Sequence, residues 1–224
     1  MNKAMSFIRL DFITVKPYLT LKNLIIFFGV TLYMTIVSSN ATGAIGILMA
    51  FAALYASYPF AIGEKSSIDV LYTTLSIKRD TVVLGRYLFA LSLDLFAGLF
   101  ALTLSFVVLT IMQKGFSLIE SLLTVFALFF VFSIIQAVQL PIYFKLSYTK
   151  AKFLAYLPFL VLPLMILSFT NFLSDIFSAE WINGLLDWFS ANTLATALAV
   201  GGIWLVIMGV SYKISLSFYR KRDF

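Results

Sequence analysis

The stretch AIGEKSSIDVLYTTLSIKRDTVVLGRY, residues 61–87, decides how this chain is organised. Apolar runs long enough to cross a bilayer lie on both sides of it. Only 12% of the whole chain is charged, yet this stretch alone holds seven charged residues. Such a concentration of charge between two apolar runs predicts a loop at a membrane surface. The charged residues are Glu64, Lys65, Asp69, Lys78, Arg79, Asp80 and Arg86.

The composition predicts an all-α integral membrane protein. Hydrophobic residues make up 62% of the chain, and the mean hydropathy is +1.01. The charged fraction is about half that of a soluble domain, so a soluble fold could not bury this much apolar surface. The apolar runs are continuous rather than alternating, which favours helical spans over a β-barrel.

The residue types that are missing exclude several kinds of site. The sequence has no cysteine and no histidine. Disulfides, Cys/His zinc sites, thiol nucleophiles and histidine general bases are therefore excluded. The N-terminal sequence MNKAMSFIRLDFITVKP has dispersed charges and no small-residue cleavage site, so we expect no cleaved signal peptide.

Six apolar segments predict six transmembrane helices in a single domain over residues 1–224. Tight turns are expected at 40–43 and 113–115, and no internal repeat or linker divides the chain. The segments are 23–39, 41–62, 84–112, 117–144, 153–173 and 193–217.

The basic residues predict the orientation. Six spans place both termini on one side, together with 15 of the 16 basic residues; only Lys114 falls on the other side. By the positive-inside rule, the basic side is the cytoplasm of a cell membrane. The net charge of +6 is thus explained by topology, and we expect no nucleic-acid partner.

Residues 64–77 predict a short amphipathic helix at the cytoplasmic surface. Its apolar stripe is Ile68, Leu71, Tyr72 and Leu75, spaced i, i+3, i+4 and i+7. Glu64 falls in the first turn, where a carboxylate suits the helix dipole. The pattern fits either a surface anchor between two spans or a docking helix for a cytoplasmic protein.

Two motifs resemble ABC-2 type transporter permeases of the small six-span branch found in Gram-positive bacteria. GEKSSIDVLYTTLSIKRDTVVLGRYL, residues 63–88, is similar to the cytoplasmic segment of that family, although Ser76 stands where proline is common. LPIYFKLSYTKAKF, residues 140–153, is similar to the segment after span four, with Ser147 and Ala151 in place of glycines. The first motif matches at Glu64, Lys65, Leu75, Ile77, Arg79, Val82, Val83, Arg86 and Tyr87.

The resemblance implies a transport subunit with a type V exporter-like fold and no ATPase of its own. The chain contains no G-x-x-x-x-G-K-[ST] loop, so ATP and Mg²⁺ would bind to a separate ATPase chain, and no cofactor is expected here. The permease would pair with a second copy or a related permease. Its substrate would be amphipathic, with a peptide of the phenol-soluble modulin type favoured. The residues expected to couple to the ATPase are Glu64, Lys65, Asp69, Tyr72 and Arg79, and Arg79 is alternatively an anchor to lipid phosphates.

Polar residues inside the predicted spans have two interpretations. Asp94 and Gln136 fall at nearly the same depth, and Gln139 lies near the same face as Gln136. A charge within a span should face protein or water, because exposure to lipid is costly. An Asp94–Gln136 contact would either lock two spans together or line the transport path.

The last feature is an outer amphipathic segment, SDIFSAEWINGLLDWFSAN, residues 174–192. Trp181 and Trp188 lie on its apolar stripe, which predicts an interfacial helix at headgroup level. Two further functions stay open on sequence alone. One is a passive immunity protein that binds a toxin; the other is an intramembrane enzyme, for which no suitable nucleophile or ligand set is visible.

Topology can be tested with single cysteines, because the chain has none of its own. A cysteine at Ser178 should react with a membrane-impermeant thiol reagent added outside the cell, and a cysteine at Ser67 should not. The reverse labelling would overturn the predicted orientation and, with it, the docking of the loop in the cytoplasm.

Overall fold

The computed structural model describes an all-helical chain. It covers residues 3–18, 20–66, 68, 72, 77–146, 148–159, 161, 181, 184, 187–189 and 191–222. Residues 148–159 are helical as well. The named helices are α1 Lys3–Val15, α2 Leu21–Ser38, α3 Thr42–Tyr55, α4 Tyr58–Ser66, α5 Arg79–Ile111, α6 Leu118–Lys145 and α7 Thr193–Arg220.

Five helical stretches of the described chain are long and apolar enough to cross a membrane. They are α2, α3 together with α4, α5, α6 and α7, which correspond to five of the six predicted spans. The remaining predicted span, 153–173, is described only at 153–159 and 161, where it is helical. The all-α prediction is confirmed, while the count of six spans stays a prediction.

The predicted span 41–62 corresponds to the stretch Thr42–Ser66, which is long and apolar enough to cross a membrane but is made of two helices. The first helix ends at Tyr55, two turn residues follow, and α4 begins at Tyr58. Pro59 is the reason, since its ring would clash with the carbonyl four residues earlier and it has no N–H to donate. Proline is tolerated in a first helical turn, which is where Pro59 lies in α4. Pro141, in contrast, lies inside α6, which continues to Lys145.

The two predicted tight turns are present at the end of the bundle away from α1. Ser39 takes the left-handed conformation, φ 54°, and ends α2. Gln113, φ 53°, ends α5 in a Schellman motif, in which the amide of Lys114 donates to the carbonyl of Leu109 over 2.9 Å. The Lys114 ammonium donates to the Ser39 hydroxyl, so the two turns are joined.

Helix α5 is the centre of the bundle, and small residues let its neighbours approach closely. Ala97, Gly98 and Ala101 are buried on one face. A Cβ at Gly98 would lie 3.0 Å from Val125 Cγ1 of α6 and 3.1 Å from Met49 Sδ of α3. Small residues at helix contacts are the usual means of close packing in a membrane, and this face of α5 follows that rule.

Candidate coupling site at the basic end of the bundle

The segments rich in lysine and arginine meet at one end of the bundle, which we call the basic end. It comprises α1, the described residues between α4 and α5, the start of the helical segment 148–159, and the end of α7. Contacts between these segments, described below, hold them together. Their grouping agrees with the predicted charge distribution, and the side of the membrane on which they lie stays a prediction.

The start of α5 is fastened to the end of α7. The Arg79 guanidinium donates to the carbonyls of Tyr219, over 3.2 Å, and of Arg220. Asp80 accepts two bonds from the Arg220 guanidinium, at 2.9 and 3.2 Å. The last carbonyls of a helix lack partners within it and carry negative partial charge, so a guanidinium suits them. The predicted coupling residue Arg79 therefore has an internal role, and its contact with an ATPase or with lipid stays a prediction.

Glu64 joins α4 to the helical segment 148–159. Its carboxylate accepts bonds from the Thr149 amide, over 2.9 Å, and from the Thr149 hydroxyl, over 3.0 Å. A carboxylate at the beginning of a helix satisfies free amides and suits the helix dipole. Sequence reasoning placed Glu64 in a first turn but missed that the helix it caps is another one, because nothing in the sequence pairs Glu64 with Thr149.

Tyr72 is buried beneath α1 rather than exposed. Its ring lies edge-on to that of Phe7, with 5.0 Å between centroids. Phe7 in turn covers Gly85 of α5 so closely that a Cβ there would lie 2.7 Å from Phe7 Cδ1. Ile68 packs against the hydrophobic cluster that contains Phe7 and Tyr72. These two members of the predicted apolar stripe therefore face the protein, while Leu71, Leu75 and Asp69 lie outside the described residues. Lys65 is exposed.

A buried ion pair joins α1 to α5 at the same end. Arg86 Nη1 lies 3.1 Å from Asp11 Oδ1, and only 5% and 1% of the two side chains are exposed. The guanidinium also lies over the Phe60 ring, 4.9 Å from its centroid. Burial raises the pKa of Asp11 from its ordinary 3.8 to about 6, and the Arg86 charge opposes that rise. Sequence reasoning missed the pair, although an acidic residue amid the apolar N-terminal residues was a signal for it.

The polar residues of α6 point inward, and each contacts a different part of the chain. Ser133 accepts a bond from the Trp204 indole of α7 over 2.6 Å. Gln139 donates to the Ala155 carbonyl of the segment 148–159 over 2.7 Å. Tyr143 stacks on Phe60 of α4, with 5.1 Å between ring centroids. All of these polar residues are buried: Ser133, Gln136, Gln139 and Tyr143.

Asp94 of α5 and Gln136 of α6 lie together in the interior, as their predicted depths indicated. The Gln136 side chain lies near the Asp94 carboxyl, and 0% and 1% of the two residues are exposed. Within the described part of the chain, their polar side-chain atoms make no hydrogen bond of ordinary geometry. The pairing of the two spans is thus present, and the choice between a lock and a transport path stays a prediction.

The two tryptophans of the outer segment are both exposed. Trp181 and Trp188 have 49% and 53% of their surface accessible. Trp188 lies edge-on to Phe189, with 5.5 Å between ring centroids. Most of the predicted interfacial helix lies outside the described residues, so its placement at headgroup level stays a prediction.

The buried pair gives a mutational prediction. Arg86→Met should lower the free energy of unfolding by ~3–5 kcal/mol, because it leaves the Asp11 carboxylate buried without its partner. Adding Asp11→Leu should restore most of that loss, since the buried charge is then gone. Arg220→Met, in an exposed pair, should cost ~1 kcal/mol or less. Thermal unfolding in detergent at neutral pH measures all four chains; equal losses for Arg86→Met and Arg220→Met would contradict the buried pair.

The same pair gives a pH prediction. Because the folded pKa of Asp11, about 6, exceeds its ordinary 3.8, the folded chain holds this proton more tightly than the unfolded chain. Ionisation of Asp11 therefore costs stability above about pH 6, and the cost disappears as the pH falls to about 4. As the pH falls from about 6 to about 4, the free energy of unfolding of the chain should therefore rise by up to ~3 kcal/mol relative to that of Asp11→Asn. A difference between the two that does not change with pH would contradict it.

Comparison with known protein families agrees with the motifs and the fold. A family model described as "ABC-2 family transporter protein" matches residues 6–220, which is nearly the whole chain. A comparison with curated proteins gives no match. The family match runs through the basic-end contacts, the five spanning stretches and the polar stripe of α6. The chain belongs to the ABC-2 transporter family and is a membrane subunit of an ABC transporter.

Proposed function

We propose that the chain is the permease of an exporter that moves an amphipathic substrate, a peptide, out of the cell. A separate ATPase chain binds to residues 64–79, which include the end of α4, the connection and the start of α5 and are called the loop below, and it supplies the energy. The observation that carries this proposal is the attachment of that loop to three parts of the bundle. Glu64 binds the segment 148–159, Tyr72 lies under α1, and Arg79 binds the end of α7.

These attachments support a path by which a displacement of the loop reaches the spans. A shift of α4 pulls on the segment 148–159 through the Glu64 carboxylate. A shift at Tyr72 moves Phe7 and α1, and α1 moves α5 through the Asp11–Arg86 pair. A loop that only anchored two spans to the membrane surface would not need contacts with three other elements.

The proposal includes a dimeric permease, as the family implies. A path large enough for an amphipathic peptide would then lie between two copies, or between this chain and a related permease. Large apolar residues on α7 are exposed along its length and are available for contact with a partner or with lipid: Leu194, Leu198, Ile203, Leu205, Val206 and Val210.

Two sets of variants distinguish binding of the ATPase to the loop from transmission of the loop's movement to the spans. Lys65→Glu with Asp69→Lys reverses charges on the loop, and we expect it to weaken retention of the ATPase on immobilised permease. Glu64→Gln removes the charged partner of Thr149 inside the chain. We expect this variant to retain the ATPase but to lose substrate-stimulated ATP hydrolysis, because the loop no longer moves the segment 148–159.

Lys152→Glu, an exposed change at the same end, is the matched control and should behave as the unaltered chain does. Normal ATPase retention and normal stimulated hydrolysis in both loop variants would contradict the proposal and indicate that the loop only anchors two spans at the membrane surface. Peptide export from cells expressing both subunits tests the direction and the substrate class. Accumulation of the peptide inside such cells would contradict export.

A further inference from the structure

An apolar groove of about 580 Å³ opens on the side of the bundle between α1, α2, α3 and α5. Aromatic and aliphatic side chains line it almost entirely. Its one hydroxyl belongs to Tyr55, which accepts a bond from the Asn23 amide over 3.0 Å. The lining includes Phe12, Leu24, Phe28, Phe51, Phe96 and Phe100.

The depth of the groove matches one leaflet of a bilayer. Along α5, Arg86 marks the level of α1 through its pair with Asp11. From there, Leu93 lies about 10 Å and Phe100 about 21 Å further along the helix, at the rise of an α-helix. Half of a hydrocarbon core is about 15 Å thick. The lining along α5, from Leu93 to Phe100, therefore covers about 11 Å, which is within the thickness of one leaflet.

Two lysines lie close in sequence to residues that line one end of the groove, which we call its mouth. Lys16 follows directly after Val15, which lines the groove, and Lys22 lies one turn before Ile25, which also lines it. Both lysines are exposed. The nearest acidic residue on α1, Asp11, is buried against Arg86. A ligand at this mouth would therefore contact cationic side chains at one end of the apolar groove.

We propose that the groove binds one acyl chain of an anionic phospholipid, whose phosphate lies at Lys16 and Lys22. The apolar lining of the groove suits the acyl chain, and the two lysines suit the anionic headgroup. A transmembrane helix of a second copy would fit less well, because it would run through the full thickness of about 30 Å rather than one leaflet. The bound lipid would rest against Phe12 and hold α1 at the membrane surface. This proposal does not depend on the substrate or direction of transport.

The probe is a phosphatidylglycerol with a photoreactive group on one acyl chain, in vesicles that are otherwise phosphatidylcholine. After irradiation of the reconstituted full-length chain, we expect most cross-links on groove residues such as Phe28, Phe51 and Phe96. Ile25→Trp should reduce them about tenfold by filling the groove. Ile36→Trp, an exposed position on the same helix outside the groove, is the matched control and should leave them unchanged.

The headgroup is tested by replacing the phosphatidylglycerol probe with its phosphatidylcholine counterpart. Lys16→Gln with Lys22→Gln should remove the preference for the anionic lipid, about tenfold, whereas Lys150→Gln with Lys152→Gln should not. Cross-links that are as frequent on the exposed residues of α7 as on the groove residues would overturn the proposal. So would displacement of the lipid by an exported amphipathic peptide, which would make the groove a substrate site. Copy-to-copy disulfides at Ile25→Cys would assign it to a second copy.

Discussion

A hydrocarbon core offers no water to polar groups, so a polar group inside a membrane protein is stabilised when another part of the protein satisfies it. In this chain the constraint falls chiefly on α6 and its neighbours. Ser133 binds Trp204, Gln139 binds the Ala155 carbonyl, and the Ser211 hydroxyl donates to the Ala137 carbonyl over 2.5 Å. These bonds join α6 to α7 and to the segment 148–159. Since a broken bond would leave a buried polar group unsatisfied, they fix which helices are neighbours and how they are rotated.

Apart from the buried Asp11–Arg86 pair, the basic end obeys a different rule, because its contacts use charged side chains and lie between helix termini and surface segments. Arg79 and Asp80 hold the end of α7, and Glu64 holds the start of the segment 148–159. Exposed ionic contacts contribute little stability each and are screened by salt, so they can form and break as segments move. The hydrogen-bonded interior and the exchangeable basic end thus divide two tasks: the interior keeps the helices together, and the end lets a displacement pass between them.

Much of this arrangement follows from periodicity and charge, which is why the spans, the tight turns and the inward face of α6 were predictable from the sequence. The break after Tyr55 was not predicted, because hydropathy does not distinguish a continuous apolar helix from one interrupted before Pro59. The partners of Glu64, Arg79 and Asp11 were also missed. Each contact joins residues far apart in the chain, and one sequence gives the helix face of a residue but not the neighbour opposite that face. Most of the predicted span 153–173, together with Asp69, lies outside the described residues and stays a prediction.

Helix α1 is the element at which these observations meet. One stripe, Phe7, Asp11 and Val15, is buried, and Phe7 and Asp11 bind it to Gly85 and Arg86 of α5. Its neighbouring face, with Phe12, borders the apolar groove. A wholly apolar joint would slide along α5 at little cost, whereas a buried ion pair loses several kcal/mol when its partners separate, so it fixes α1 at one position. Because Tyr72 packs on Phe7, a shift of the loop must either move α5 with α1 or break that pair. The pair therefore makes α1 a rigid connection between loop and span, and a lipid chain held in the groove would press on the same connection from the membrane side.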